Sequence, residues 1–132
     1  MKTEIPTGAK REEHFNVTKE LSVQIGKASV LSTPSLVWFM ERTSRLLLEA
    51  YLMDGEASVG ANIKIVHLAP APTGSEVRVV SHVAAVAGRR IDFSIEAYDA
   101  LEKIGEATHQ RVVIMLSKFE SHVEEKLSRS AS

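Results

Sequence analysis

Three side chains in this sequence have the right chemistry for a hydrolytic or proton-transfer site if the fold brings them together: Thr33, Glu41 and His67. A threonine hydroxyl is a nucleophile only when a base takes its proton. An imidazole is the usual base near neutral pH, and a carboxylate can orient that imidazole or activate a water. Each residue also has an ordinary explanation. Thr33 stands before Pro34 at the start of a helical pattern, where a threonine serves as an N-cap. Glu41 falls at the edge of the apolar stripe near Val37, Ser44 and Leu48. An exposed pair with Arg45 at i,i+4 would account for it. His67 ends the run "ASVGANIKIVH". Strict alternation there puts Val59, Ala61, Ile63, Ile65 and His67 on one face, and a hydrogen-bonded core histidine would fit that position. Taken singly, the ordinary readings are favoured. Eight residues of helix rise about 12 Å, so Thr33 and Glu41 do not touch directly, and a histidine from a facing strand would have to bridge them.

Two further positions bear on the same site. "ATHQR" places His109 and Arg111 as a polar point in an otherwise apolar strand, and Arg111 is suited to an anionic or carbonyl group. Gly60 interrupts a β-rich run, which points to a bulge, a close ligand approach or a packing glycine. His14, His82 and His122 show neither an acidic partner nor metal-ligand spacing. Arg89, Arg90 and Lys64 could meet anionic groups by charge alone, with a solvated surface as the simpler role. The chain has no phosphate loop, no G-x-S-x-G elbow and no H-E-x-x-H motif.

The elements that must position these residues follow from periodicity. "HFNVTKELSVQIG" alternates imperfectly and reads as a first strand. From 35 to 53 the period becomes helical, with Leu36, Phe39, Met40, Thr43, Leu47 and Ala50 on one side and Arg42, Arg45 and Glu49 on the other. Pro34 suits the first helical position, Thr33 or Ser32 can cap, and Asp54-Gly55 closes the segment. Four strands follow, at 57–69, 75–87, 89–99 and 102–116. Val112, Ile114 and Leu116 alternate in the last of them. A short helix, 118–127, ends the pattern. The loops are too short for parallel crossovers, so these four strands are expected as an antiparallel meander. The long helix must bury its apolar side on that sheet. The expected class is α+β, with one central helix wrapped by a curved antiparallel sheet, the hotdog arrangement. Its sheet edge calls for a second copy.

Composition narrows the function classes. The chain has 132 residues, 44% hydrophobic and 25% charged, which suits one soluble domain over 1–132 with a loose lead-in at 1–12 and a polar tail at 128–132. A net charge of −1 gives no pull toward nucleic acid or an anionic membrane. There is no cysteine, which excludes disulfides, a thiol nucleophile and cysteine-ligated zinc and fits a reducing cytoplasm. No secretory h-region or membrane-length apolar run is visible.

"VLSTP", Met40-Glu41, "SVGANIKIVHLAPAPTG" and "GEATHQRVVI" together resemble the hotdog acyl-CoA thioesterases of the fluoroacetyl-CoA thioesterase-like family, over about 30–119. The joint spacing carries the likeness. The resemblance implies that Thr33, Glu41 and His67 are catalytic, that Gly60 lies near the thioester carbonyl and that Arg111 is an active-site arginine binding substrate. It implies a homodimer, or a tetramer, with sites at the subunit interface. It implies no metal and no cofactor beyond the CoA of the substrate. The segment "QIGKAS" before the helix lacks the aromatic residues of a fluoroacetyl-specific pocket, so another acyl-CoA is the expected substrate. Two other functions suit such a fold: a non-catalytic acyl-CoA-binding module, and a hydratase or dehydratase.

Overall fold

The computed structural model describes residue 1 and residues 4–131. Its strands are β1 (Lys10–Asn16), β2 (Ser22–Ile25), β3 (Ala28–Leu31), β4 (Glu56–His67), β5 (Glu76–Ala87), β6 (Arg90–Tyr98) and β7 (Lys103–Met115). The helices are α1 (Thr33–Glu49) and α2 (Leu116–Ser130). Five strands form one antiparallel sheet in the order β1-β5-β6-β7-β4, and β2 and β3 form a separate ribbon. This is the expected α+β hotdog arrangement, with α1 lying across the sheet.

The helix forms as its periodicity requires. Leu36, Phe39, Met40, Thr43, Ser44, Leu47 and Leu48 are buried on its sheet side. They meet Val77, Val79 and Val83 of β5 and Ile91, Phe93, Ile95 and Ala97 of β6 in one core. The buried hydroxyls are satisfied locally. Thr43 donates to the Phe39 carbonyl at 2.8 Å, and Ser44 reaches both the Met40 carbonyl and Ser81 Oγ. Contact with β7 is close: a Cβ on Gly105 would lie 2.8 Å from Leu36 Cδ2.

Several expectations are corrected. Only β5, β6 and β7 form a meander. β4 lies outside β7, at the sheet edge. The segment 68–75 carries the chain past two strands to β5, pinned on the way by Leu31 N–H to Ala71 O and Thr73 N–H to Ser29 O. The single first strand is three pieces: β1, a 3₁₀ turn at Lys19–Leu21, and β2. In α1, Ser32 is the N-cap, its hydroxyl accepting from Ser35 N–H, and Pro34 is the second helical residue. The helix ends at Glu49, with Ala50 exposed beyond it. In β7 the inward residues are Gly105, Ala107, His109, Arg111 and Val113, so Val112 and Ile114 face outward and Leu116 belongs to α2. The last helix runs on to Ser130, through most of the expected tail. In the lead-in, Ile5 is buried and Gly8 N–H bonds to Val83 O. Among the described residues no helix is long and apolar enough to cross a membrane.

Candidate active site

The first turn of α1 and the last residue of β4 make one half of the site. Because Ser32 already caps the helix, the Thr33 hydroxyl is free of that duty. It lies 2.8 Å from His67 Nδ1. The expected cap role for Thr33 is therefore replaced by a hydroxyl–imidazole pair joining helix to strand. The other ring nitrogen, His67 Nε2, is buried and has no hydrogen-bond partner among the described residues. His67 is thus only half satisfied, unlike an ordinary core histidine. The pair opens onto a groove of about 340 Å³ between β4 and the β2–β3 ribbon.

Two turns along α1, Glu41 makes the other half. Its Oε2 lies 3.7 Å from Arg111 Nη1. The expected Glu41–Arg45 pair is absent, because Arg45 binds Glu49 at 2.7 Å. Gly60 faces the same carboxylate so closely that a Cβ there would lie 2.5 Å from Glu41 Oε2. The reason is a bulge. The β4–β7 register shifts between Gly60 and Asn62, with Gly60 opposite Arg111 and Ile63 opposite His109. An extra residue reverses the alternation. Ser58 and Gly60 therefore face the helix, as Ile63, Ile65 and His67 do. The expected placing of Val59 and Ala61 on that face is corrected for the same reason.

Arg111 is only 4% exposed, and its guanidinium is held on every side. Nε donates to Ser58 Oγ at 2.9 Å, Nη2 to Ser58 O at 3.1 Å, and Nη1 lies 3.3 Å from His109 Nε2. His109 Nδ1 lies 2.8 Å from the Asn62 carbonyl within the bulge. A carbonyl only accepts, so Nδ1 carries the hydrogen and Nε2 is the acceptor for Arg111. Burial, above all, holds His109 below the usual histidine range, with the Arg111 charge adding to it against the Asn62 bond and Glu41. Burial likewise lowers Arg111, opposed by Glu41. The neutral imidazole is the form that can accept from a guanidinium.

The five residues singled out from sequence thus fall into two groups. Thr33 meets His67; Glu41 meets Gly60 and Arg111. No hydrogen bond or ion pair joins Glu41 to Thr33 or His67 among the described residues, so the histidine bridge expected between them is not made within one chain. Sequence reasoning missed Ser58 and the structural use of His109. The i,i+2 spacing of His109 and Arg111 marked them as sharing a face, but their partner Ser58 lies beyond a bulge that strict alternation ignores. His14, expected without an acidic partner, bonds Glu12 and Glu76 at 2.8 Å each, on the surface. Arg89 is engaged by Glu56 at 3.0 Å.

Residues 13–117 match the family model described as fluoroacetyl-CoA-specific thioesterase. A fluoroacetyl-CoA thioesterase of Streptantibioticus cattleyicolor is 37% identical over 97 residues, covering 74% of this chain and 70% of that protein. Among solved structures, a fluoroacetyl-CoA thioesterase superposes with a TM-score of 0.87 at 30% identity, over 94% of this chain and 98% of the other. A thioesterase-superfamily protein of Thermus thermophilus gives 0.90 at 28% identity, with 97% of each chain covered. A hot-dog-like protein from Thermanaerovibrio acidaminovorans gives 0.86 at 26%, with 92% of each covered. With a matching family model over most of its length and this degree of identity on the same fold, the chain belongs to the fluoroacetyl-CoA-specific thioesterase family.

Proposed function

We propose that this chain hydrolyses acyl-CoA thioesters at the Thr33–His67 pair, as the homodimer in which Glu41 of one copy serves the pair of the other. The chain is a thioester hydrolase by family. The observation that carries the residue assignment is the 2.8 Å contact between Thr33 Oγ1 and His67 Nδ1. In that geometry His67 accepts the threonine proton as Oγ1 attacks the thioester carbonyl. The tetrahedral oxyanion forms at the N-terminus of α1, where the helix carries partial positive charge. Collapse of the intermediate expels the CoA thiolate, which takes the proton from His67. Water, deprotonated by the same imidazole, then releases the carboxylic acid and restores Thr33. CoA is part of the substrate, and these steps call on no other cofactor. An acyl-threonine seen by mass spectrometry under rapid quench supports this order. Hydrolysis dependent on His67 without that adduct would mean that Thr33 positions the water instead.

The homodimer explains two loose ends. When His67 Nδ1 accepts from Thr33, Nε2 carries a hydrogen, and a buried N–H needs an acceptor. Glu41, 45% exposed, is such an acceptor, but one chain holds it about 12 Å along the helix from Thr33. β4 is an edge strand whose outer row of backbone groups calls for a partner. Antiparallel pairing of two β4 strands centred on Lys64, with the bulge between Gly60 and Asn62 absorbing one residue, sets Gly60 of one copy opposite His67 of the other. That register delivers Glu41 beside the His67 of its neighbour. Glu41 then orients and charge-stabilises the imidazole, Arg111 holds Glu41, and Gly60 leaves room for it near the thioester carbonyl. A tetramer would join two such dimers. We place the protein in the cytoplasm, on its lack of cysteine and the CoA thioester it consumes.

The test is free-thiol release from an acyl-CoA panel by wild type and His67→Ala. Removing a general base typically costs about 10²–10⁴ in rate. Turnover within a few-fold of wild type would overturn the assignment of His67. Alkene hydration without thiol release would instead favour the hydratase, and saturable binding without turnover the binding module.

A further inference from the structure

The groove beside Thr33 and His67 has a wall that the mechanism does not use. β2 and β3 pair as Val23↔Val30 and Ile25↔Ala28 on one face, and as Ser22↔Leu31 and Gln24↔Ser29 on the other. The second face is tied down. Ser29 Oγ and Ser22 Oγ each lie 2.7 Å from Thr73 Oγ1. The first face is apolar and exposed, Val23 at 43% and Ile25 at 64%. It looks across the groove at Leu68, which is 50% exposed just beyond the end of β4. Among the described residues no carboxylate, ammonium or guanidinium lines this groove.

We propose that this groove is the acyl subsite and that it selects uncharged aliphatic acyl groups longer than acetyl, with Val23, Ile25 and Leu68 as the selecting residues. The inference rests on the hydrolytic reading of Thr33 and His67, because it takes the pair as the point where the thioester carbonyl is held. From that point the acyl chain or the pantetheine arm must enter the groove. The pantetheine amides and CoA phosphates need hydrogen-bonding or cationic partners; no cation among the described residues lines the groove, and its two hydroxyls, Ser32 and Thr33, are already engaged with Ser35 and His67. A hydrocarbon chain needs none. Ile25 is two residues beyond Val23, about 7 Å further along the ribbon, so only a chain of several carbons reaches it. A carboxylated acyl group would bury an unpaired charge there. Among the described residues no Phe, Tyr or Trp lines the groove, so a planar aryl group finds no ring there beyond the His67 imidazole.

The experiment has two parts. Thiol release is compared for acetyl-, fluoroacetyl-, butyryl-, hexanoyl-, succinyl- and benzoyl-CoA. In parallel, affinities of the unhydrolysable S-methyl-, S-butyl-, S-hexyl- and S-(3-carboxypropyl)-CoA thioethers are measured by calorimetry. Both are repeated with Ile25→Glu, whose exposed position keeps the fold intact. We expect kcat/KM and thioether affinity to rise with chain length, by up to about fourfold per methylene buried. Succinyl-CoA should fall about 100-fold below butyryl-CoA. Ile25→Glu should reduce the hexanoyl-to-acetyl ratio by about tenfold. Succinyl-, benzoyl- or fluoroacetyl-CoA turned over as well as hexanoyl-CoA, or a ratio unmoved by Ile25→Glu, would overturn the subsite. If no thioester releases thiol, hydrolysis itself fails as a reading. The thioether series still decides the groove: affinity rising with alkyl length supports it, and a flat series overturns it.

Discussion

Thr33 and His67 are 34 residues apart in sequence and 2.8 Å apart at Oγ1 and Nδ1. The contact exists because Ser32, not Thr33, satisfies the first turn of α1. The two adjacent hydroxyls therefore have separable roles. Ser32→Ala should cost about 1 kcal/mol of stability, the usual worth of an N-cap. Thr33→Ala should change stability by no more than about 0.5 kcal/mol while removing most of the turnover. Thermal unfolding and thiol release on the same two variants check this. Equal destabilisation by both would return Thr33 to the cap.

If Glu41 serves the partner's histidine, two different dead enzymes should rescue each other. Glu41→Gln and His67→Ala, each nearly inactive alone, are mixed and allowed to exchange subunits. Half of a random mixture is heterodimer, and each heterodimer retains one intact site. Recovery toward about a quarter of wild-type activity is expected, since a random mixture then holds one intact site in four. No recovery despite proven exchange would place both residues in one chain's site.

Gly60 should be tolerated poorly by the reaction and well by the fold. A methyl there would meet Glu41 Oε2, the free end of a flexible side chain, with His109 Cε1 and Arg111 Nη1 next nearest at 3.5 and 3.6 Å. The carboxylate swings aside more easily than the strand. Gly60→Ala should leave the melting temperature within a few degrees, a shift of roughly 1 kcal/mol at most. kcat should drop, because Glu41 is displaced. Loss of cooperative unfolding, with no soluble dimer, would show that the glycine is required by the bulge.

Acid should loosen the Arg111 cluster before the surface carboxylates protonate. His109 is held below its ordinary value of 6.5, chiefly by burial. Its folded pKa is depressed, so between that value and 6.5 the unfolded chain binds a proton that the native chain refuses. The stability it confers is complete above 6.5 and is lost as pH falls through the folded pKa. Glu12, Glu56 and Glu96, also depressed, act lower, below 4.5. His14, raised by Glu76 and Glu12, has the opposite slope and lies above 6.5. Melting temperature measured from pH 8 to 5 should therefore fall below 6.5, and His109→Gln should flatten that part of the curve. An unchanged slope in the variant would acquit His109.

How far this was legible without coordinates depends on the interaction involved. The helix was readable as a pattern over 35–53 because Leu36, Phe39, Met40, Thr43 and Leu47 repeat on one face, whereas its ends, at 33 and 49, were not. The ends of β5, β6 and β7 were readable because Gly-Arg and Asp-Ala-Leu turns bound them. The order of the strands was not, since an eight-residue link can return beside its strand or cross the sheet, and both satisfy alternation. The bulge was not either. Gly60 advertised an irregularity, but which residue would be looped out depends on the pairing with β7. That single residue decides whether Ser58 or Val59 faces Arg111.

By itself the sequence determined the fold class, the acyl-CoA thioesterase family and five residues worth examining, because periodicity and joint spacing are properties of the chain in order. Tertiary structure alone decided how those five divide. Thr33 turned from cap to partner of His67 because a neighbouring serine took the cap. Glu41 turned from Arg45 to Arg111 because β7 brought a buried guanidinium within 3.7 Å. Such choices are competitions among nearby groups for one hydrogen bond or one charge, and distance in space settles them.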